Sequence, residues 1–408
     1  MKTTNWKFLT MSMLAGMTAF TSCDNEDGNE PTPDPEPNPV EYKLEGEITS
    51  DMTLEAGQTY TLSGGVHVKK GATLSIPEGV KIVAQYDDVA DYILIEQGAK
   101  INAVGTAEKP IVMTSSKEEV GSWGGLHICG YAHTNVSGGT GVSEIGGATY
   151  GGDDDADNSG TLKYIRLEYT GFALDEEHES NGISFYGVGN GTVVENIQAY
   201  KGADDGLEFF GGSVNIKNIV VTSCSDDSFD WTEGWNGKGQ FLVAYQEGES
   251  SLGYDCDCLM ECDNNSKDLA ATPTSHPVLA NVTLVGNGGE KQGVRLRAGT
   301  QVELYNAIIA NKGKALTVET VETENSLADG TSVLENVAIS TELDSENSIY
   351  TNDMFVKAGN LTNQKFELSD LFVGTIEGGS KVEDSFFVDA PYKGAVSADN
   401  NWTAGWTL

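Results

Sequence analysis

Apolar and polar residues alternate in short runs along most of this chain, and two of those runs recur. Lys163-Tyr-Ile-Arg-Leu, Glu195-Asn-Ile-Gln-Ala, Lys217-Asn-Ile-Val-Val, Ala280-Asn-Val-Thr-Leu, Tyr305-Asn-Ala-Ile-Ile and Glu335-Asn-Val-Ala-Ile form the first. Gly182-Ile-Ser-Phe-Tyr, Gly206-Leu-Glu-Phe-Phe, Ser228-Phe-Asp-Trp-Thr, Gly293-Val-Arg-Leu-Arg and Ala315-Leu-Thr-Val-Glu are interleaved with it. Alternation at period two marks a strand with one buried face. Strands that return at an interval of about 20 to 50 residues build a solenoid, and at this interval a parallel β-helix. The expected fold class is all-β, a single-stranded right-handed parallel β-helix.

Near its start, Val66-His-Val-Lys-Lys-Gly-Ala-Thr-Leu-Ser-Ile76 is echoed one coil later by Ile93-Leu-Ile-Glu-Gln-Gly-Ala-Lys-Ile-Asn-Ala103, which places Val66, Val68, Leu74 and Ile76 inside. No segment carries a convincing amphipathic helical stripe. Asn196, Asn218, Asn281, Asn306 and Asn336 fall at one position of the first run, 22, 63, 25 and 30 residues apart. Stacked coils are expected to set these amides in a row, each donating to the next. The long gap requires one more coil, supplied by the runs around Gln240 and Met260, with an insertion at about 246–278. Two tryptophans in Asn400-Asn-Trp-Thr-Ala-Gly-Trp-Thr-Leu408 are expected to cover the open end of the solenoid.

Aligning the second run gives two inward apolar columns. One is Ile183, Leu207, Phe229, Met260, Val294 and Leu316, and the other is Phe185, Phe209, Trp231, Cys262, Leu296 and Val318. Between them an outward column reads Ser184, Glu208, Asp230, Glu261, Arg295 and Thr317, and beside it runs Tyr186, Phe210, Thr232, Asp263, Arg297 and Glu319. Neighbouring strands lie about 4.8 Å apart, so Glu208, Asp230 and Glu261 stand in file. Like charges opposite one another need a cation, a proton or an arginine. Asp204, Asp205, Asp226 and Asp227 stack in the turns just before, and Asp257 approaches from the insertion. One reading pairs Arg295 and Arg297 with Glu261 and Asp263 on a solvated acidic face. The functional reading is a ligand groove over Tyr186, Glu208, Phe210, Asp230, Glu261, Asp263, Arg295 and Arg297. In it calcium, the natural hard cation for clustered carboxylates, is held by Asp204, Asp205, Asp226, Asp227 and Asp230. Tyr186, Phe210 and Trp235 are expected to form a stacking platform for a sugar or another flat ligand.

Charge and the first forty residues set the address. The 408-residue chain carries a formal net charge of −38, which repels phosphate backbones, excludes nucleic acid as a partner and favours cations or neutral and cationic ligands. Residues 1–22, with Lys2 and Lys7 before a modest apolar stretch, read as a lipoprotein signal, and Cys23 as the lipid-modified first residue. The apolar run is shorter than the roughly 20 residues a bilayer span needs. Residues 23–40 are an acidic and proline-rich spacer, and residues 41–408 one solenoid domain. The expected location is the outer membrane, reached through the lipid anchor and facing the cell exterior.

Beyond Cys23 there are five cysteines, Cys129, Cys224, Cys256, Cys258 and Cys262. Cys262 belongs to an inward column and reads as buried, whereas Cys256-x-Cys-x-x-x-Cys262 leaves a soft metal or a disulfide open. His127 and His133 have no ligand spacing, and His67, His178 and His276 stand alone; each reads as a surface or hydrogen-bonded residue.

Gly202-Ala-Asp-Asp-Gly-Leu-Glu-Phe209 resembles the paired-aspartate segment of polygalacturonases in the pectin-lyase-like superfamily. The resemblance implies Asp204 and Asp205 as acid and base around a glycosidic bond, and Arg295-Leu-Arg297 as a loose match to the strand that binds the substrate carboxylate. No Gly-His-Gly segment supplies that family's histidine; a lyase would need Arg295 or Arg297 as base beside a calcium-neutralised uronate. Over most of its length the chain is more similar to a group of pectin-lyase-like β-helix surface lipoproteins of Bacteroidota and some marine bacteria. Gly121-Ser-Trp-Gly-Gly125, Asn158-Ser-Gly-Thr-Leu-Lys-Tyr-Ile-Arg-Leu-Glu-Tyr169, the Asp-Asp coils and Trp402-Thr-Ala-Gly-Trp-Thr407 carry that similarity. The address, the missing histidine and the lack of a complete family site lead to the expectation of an outer-membrane lipoprotein that captures an extracellular ligand, whether a glycan, another small molecule, a metal or a metal complex, and analogy of address adds a TonB-dependent transporter as its partner. The alternative is a polysaccharide lyase or glycoside hydrolase acting on an acidic polysaccharide through Asp204, Asp205, Asp226 and Asp227. Two carboxylates in an open cleft at roughly 5 to 9.5 Å would favour it, and carboxylates tied into turns would not.

Overall fold

The computed structural model describes residues 42–87, 89–173 and 179–408. The expected signal, Cys23 and spacer fall outside the described residues, and so does His178. Among the described residues no helix is long and apolar enough to cross a membrane.

Successive coils pair in parallel and in register, joining 24 of the described strands into one continuous sheet. Each central coil is three short strands separated by bends. Residues 193–195, 197–200 and Leu207–Phe210 make one coil, and Asn215–Thr222 and Phe229–Thr232 make the next. The period-two pattern dictates this: inward side chains from all three strands meet in the interior, where they leave water together. In both inward columns no residue is more than 1% exposed. Phe185 and Phe209 stack with ring centres 5.1 Å apart. The first coils obey the same register, Val66 beside Ile93 and Leu74 beside Ile101.

The asparagine row has a different cause from the one expected. Asn196, Asn218, Asn281, Asn306 and Asn336 all have φ between 55° and 59°, the left-handed conformation that turns one strand into the next. Asparagine adopts it more readily than most residues. Tyr164 and Phe241 take the same bend in coils that lack the asparagine. The amides do not bond to one another. Asn281 Nδ2 donates to the carbonyls of Ala390 and Tyr392, and Asn306 Nδ2 to that of Ser380.

Those acceptors belong to a C-terminal strap that runs back along the flank of the solenoid. Phe372, Val373, Ala395 and Val396 cover the outward Val220, Val243 and Val285, and Gln240 exchanges hydrogen bonds with the backbone of Val388. At its far end Leu408 N donates to Gln198 Oε1, and Trp406 packs edge-on to Tyr164. The terminal tryptophans therefore seal a side and not the open end, because the middle strands carry an outward apolar row that alternation alone assigns to solvent. Beyond the last full coil, the short helices Val321–Asp329 and Asn352–Lys357 bury Leu327 and Phe355 and extend the core. Their few apolar positions are too short a series to read as a helical stripe.

Asn281 tests this account of the bend. Replacement by alanine forces a Cβ residue without a local hydrogen bond into the left-handed region and strands two strap carbonyls, an expected loss of about 2–4 kcal/mol. Asn281→Gly keeps the bend and loses only the side-chain bonds, those to the strap and the one accepted from Gln240 Nε2, so its thermal midpoint, followed by circular dichroism, should fall less than that of Asn281→Ala.

Candidate functional site

The strands Ile183–Tyr186, Leu207–Phe210, Phe229–Thr232, Met260–Cys262, Gln292–Leu296 and Lys314–Val318 lie side by side. Register places Ser184, Glu208, Asp230, Glu261, Arg295 and Thr317 in one outward file. The preceding turns add a second tier. Asp205 Oδ1 accepts from the Asp227 amide at 2.9 Å, and Asp227 Oδ1 accepts from the Cys258 amide at 2.6 Å, so each carboxylate pins the following coil.

The two tiers converge. Asp205, Glu208 and Asp230 present oxygens within 4.8 Å of one another, as do Asp227, Asp230 and Glu261, with Asp230 common to both sets. Asp204 groups in the same way with Glu179 and Asp226, and Asp227 with Asp257 and Cys258. Asp204, Asp205 and Asp227 are buried, Glu208, Asp230 and Glu261 half-buried, and Asp226 exposed. Asp230 Oδ1 is shut off from solvent and has no hydrogen-bond partner. Neither has the Oδ1 of buried Asn181, whose Nδ2 donates to Glu208 at 2.7 Å. Asn181 stands one residue before Gly182, where the next two coils carry Asp205 and Asp227; extending the alignment one residue upstream would have found it.

Burial first, and neighbouring carboxylates second, make these groups hold their protons. Burial, then Glu179 and Asp226, pushes Asp204 up to about 7. Asp205, Glu208, Asp227 and Asp230 are all driven well above the usual carboxylate range by burial and then by a neighbouring carboxylate, Asp204 for Asp205, Glu144 for Glu208, Glu261 for Asp227 and Asp227 for Asp230. Among the described residues, Lys291 pairs with Asp257 at 3.1 Å beside the turns, and two arginines relieve the file at one end. Arg295 spans Glu261 at 3.0 Å and Glu319 at 2.8 Å, and Arg297 spans Asp263 at 2.8 Å and Glu261 at 3.1 Å. The pairing of both arginines with Glu261 and Asp263 is as the sequence implied, and Glu319 joins it.

The expected aromatic platform is absent. Tyr186 is fully buried beneath residues 143–150, which return as a small hairpin, Gly141–Val142 against Thr149–Tyr150, and close over Cys129, Tyr186 and Phe210. The Tyr186 hydroxyl donates to Glu144 at 3.1 Å. Trp235 turns inward after the bend at Glu233 and Gly234 and stacks on Phe209 at 4.1 Å, inside the solenoid. A strand alignment shows which way a residue leaves its strand; it does not show a loop folding back over it.

Phe210 and Thr232 instead meet an open groove of about 1060 Å³ between residues 134–144 and the insertion loop around Lys267. All five described cysteines are free and buried, so Cys256 and Cys258 form no disulfide, and Cys262 is interior as expected. His127 is buried and bonded through Nε2 to the Gly124 carbonyl, and His133 bridges Asp155 and the Gly234 carbonyl.

The charge balance gives a pH dependence. Carboxyls with folded pKa values raised above the unfolded value bind more protons when folded, so their stabilising contribution is complete below the unfolded pKa and is lost as pH rises. For Asp204 that window runs from 3.8 to about 7. The thermal midpoint of the protein in chelator should therefore fall as pH climbs from about 4 to about 7, and the fall should shrink in Asp204→Asn.

A comparison with curated proteins gives no match. Residues 46–407 match the pectate-lyase-like β-helix domain, a span that takes in nearly every described coil, and the chain therefore belongs to the family of pectate-lyase-like β-helix domains.

Proposed function

We propose that this chain is a surface-exposed outer-membrane lipoprotein that captures an extracellular ligand with a divalent cation, calcium, bound on its acidic file, and hands that ligand to a TonB-dependent transporter. The observation that carries the reading is Asp230, whose buried Oδ1 has no partner while its carboxylate belongs to two convergent oxygen triads.

The donor set fits a hard cation. Calcium binds oxygen at about 2.3–2.6 Å, so two ligands on opposite sides of it lie about 4.6–5.2 Å apart. Oxygens all within 4.8 Å of one another match that size. Asp205, Glu208, Asp230 and the amide oxygen of Asn181 would hold the ion at the end of the file away from the arginines. Bound there, it would neutralise the carboxylates and offer open positions to hydroxyl or carboxylate groups of a ligand.

A second reading, a hydrolase or lyase acting on an acidic polysaccharide, draws on Asp204, whose carboxyl burial pushes up to about 7, toward the range suited to a general acid. Its partners weigh against it. Asp205 and Asp227 each spend an oxygen on a backbone amide, as structural turn residues do.

Calcium should raise the thermal midpoint at neutral pH and chelator should reverse it, with magnesium weaker because it demands a tighter octahedral shell. Asp230→Asn should weaken calcium at least about tenfold, which removing one charge-assisted ligand implies. No response to calcium would refute the cation site. Chromatography of polysaccharide digests decides between the readings: unsaturated sugars or new reducing ends would make the protein an enzyme.

A further inference from the structure

The groove beside the acidic file is built for a ligand of its own. Its two walls are braced by a single buried residue, Asn135. Asn135 Nδ2 donates to Asn264 Oδ1 at 2.9 Å and to the Pro273 carbonyl at 3.1 Å, while its Oδ1 accepts from Asn265 Nδ2 at 3.0 Å. One wall follows the Leu126–Cys129 strand and the other follows Met260–Cys262. The walls are therefore tied before any ligand arrives, which lowers the ordering cost of binding.

Glu233 lies on the groove floor. Its Oε2 accepts from the Thr134 hydroxyl at 2.8 Å and from the Tyr150 hydroxyl at 2.7 Å, which fixes the carboxylate plane. The residue sits in a left-handed bend, φ 57°, that points it out of the strand ending at Thr232. Around it the lining is mostly hydroxyl, amide and backbone, with Thr232, Ser137, Asn265 and Ser266 prominent. Tyr150 and Phe210 are too covered to offer a ring face, at 3% and 8% exposed. Charge narrows the choice further. Glu144, Glu233 and Asp268 line the groove against one lysine, Lys267, so a polyuronate chain would meet net repulsion.

We infer that this groove binds a neutral oligosaccharide, with Glu233 accepting hydrogen bonds from sugar hydroxyls. The volume of about 1060 Å³ is at the upper end of ordinary ligand pockets and open enough for a chain of sugars. A carboxylate already oriented by two hydroxyl donors offers charge-assisted acceptance to vicinal hydroxyls, the stronger kind of neutral-ligand contact. The inference rests on the capture reading for its biological sense, but it uses none of the residues assigned to the cation.

The test is isothermal titration of the full chain with gluco-, manno- and xylo-hexaoses and with galacturonate hexamer, each in calcium and in chelator. At least one neutral hexaose should bind in both conditions. Glu233→Gln should weaken it at least about tenfold, and Ser266→Trp on the exposed lip should block it. Should Glu233→Gln not fold, the Ser266→Trp result decides. Neutral binding untouched by both groove variants would overturn the inference. So would binding confined to galacturonate and lost in Asp230→Asn, an outcome that leaves the cation-based capture reading standing. Neutral binding at the groove without any calcium response would do the reverse.

Discussion

The parallel hydrogen-bond ladder between coils is the constraint from which the rest follows. Because each strand pairs in register with the strand one coil away, every position is repeated about every 4.8 Å along a face. Repetition is favourable indoors, where Ile183, Leu207 and Phe229 or Phe185, Phe209 and Trp231 remove one another from water. Outdoors the same rule stacks Glu208 on Asp230 and Asp230 on Glu261, and no rotamer choice can separate them fully. The fold therefore creates the electrostatic problem that its surface has to answer.

Two answers appear in the molecule, and a buried acid outside the file shows what a complete one looks like. Glu324 is buried, yet the amides of Asn347 and Ile349 and the Ser345 hydroxyl more than offset its burial and hold its carboxyl below the usual range. At the distal end of the file Arg295 and Arg297 supply the counter-charge for Glu261, Asp263 and Glu319. At the proximal end Asp205, Glu208 and Asp230 have Asn181 and turn amides only, and their carboxyls rise instead. Donor geometry that stabilises a charge and burial that opposes it thus sit a few strands apart on one surface.

Much of this was written in the chain, for a physical reason. Period two is an unambiguous label for inside and outside, so both inward columns, the file from Ser184 to Thr317 and the arginine pairs could be placed by alignment. The asparagine row was visible but its meaning was not, since alternation carries no information on the sign of φ; Tyr164 and Phe241 make the same bend with unrelated side chains. Tyr186 and Trp235 were misjudged because their burial depends on loops, and the path of a loop is set by contacts such as Tyr186 to Glu144 that join residues far apart in sequence. The strap escaped for the same reason: its apolar side chains meet Val220, Val243 and Val285 from 87 to 176 residues away in the chain.

The strap and the file also divide the surface between them. Outward positions of the middle strands, Gln198, Val220, Val243 and Thr283, are claimed by residues 372–408 through apolar contact and through bonds such as Ala395 N to Thr283 Oγ1. The first-coil side of the other face is roofed by the hairpin over Tyr186. Between roof and arginines lie Glu208, Asp230 and Glu261, half-buried among the described residues, with the open groove at their edge. Covering this stretch with more protein would finish burying carboxylates that already crowd one another, at a cost of the kind that drives such groups to neutralise. The half-buried acids and the open groove are thus two sides of one constraint: the region that is costly to cover is the region where we propose that a ligand binds.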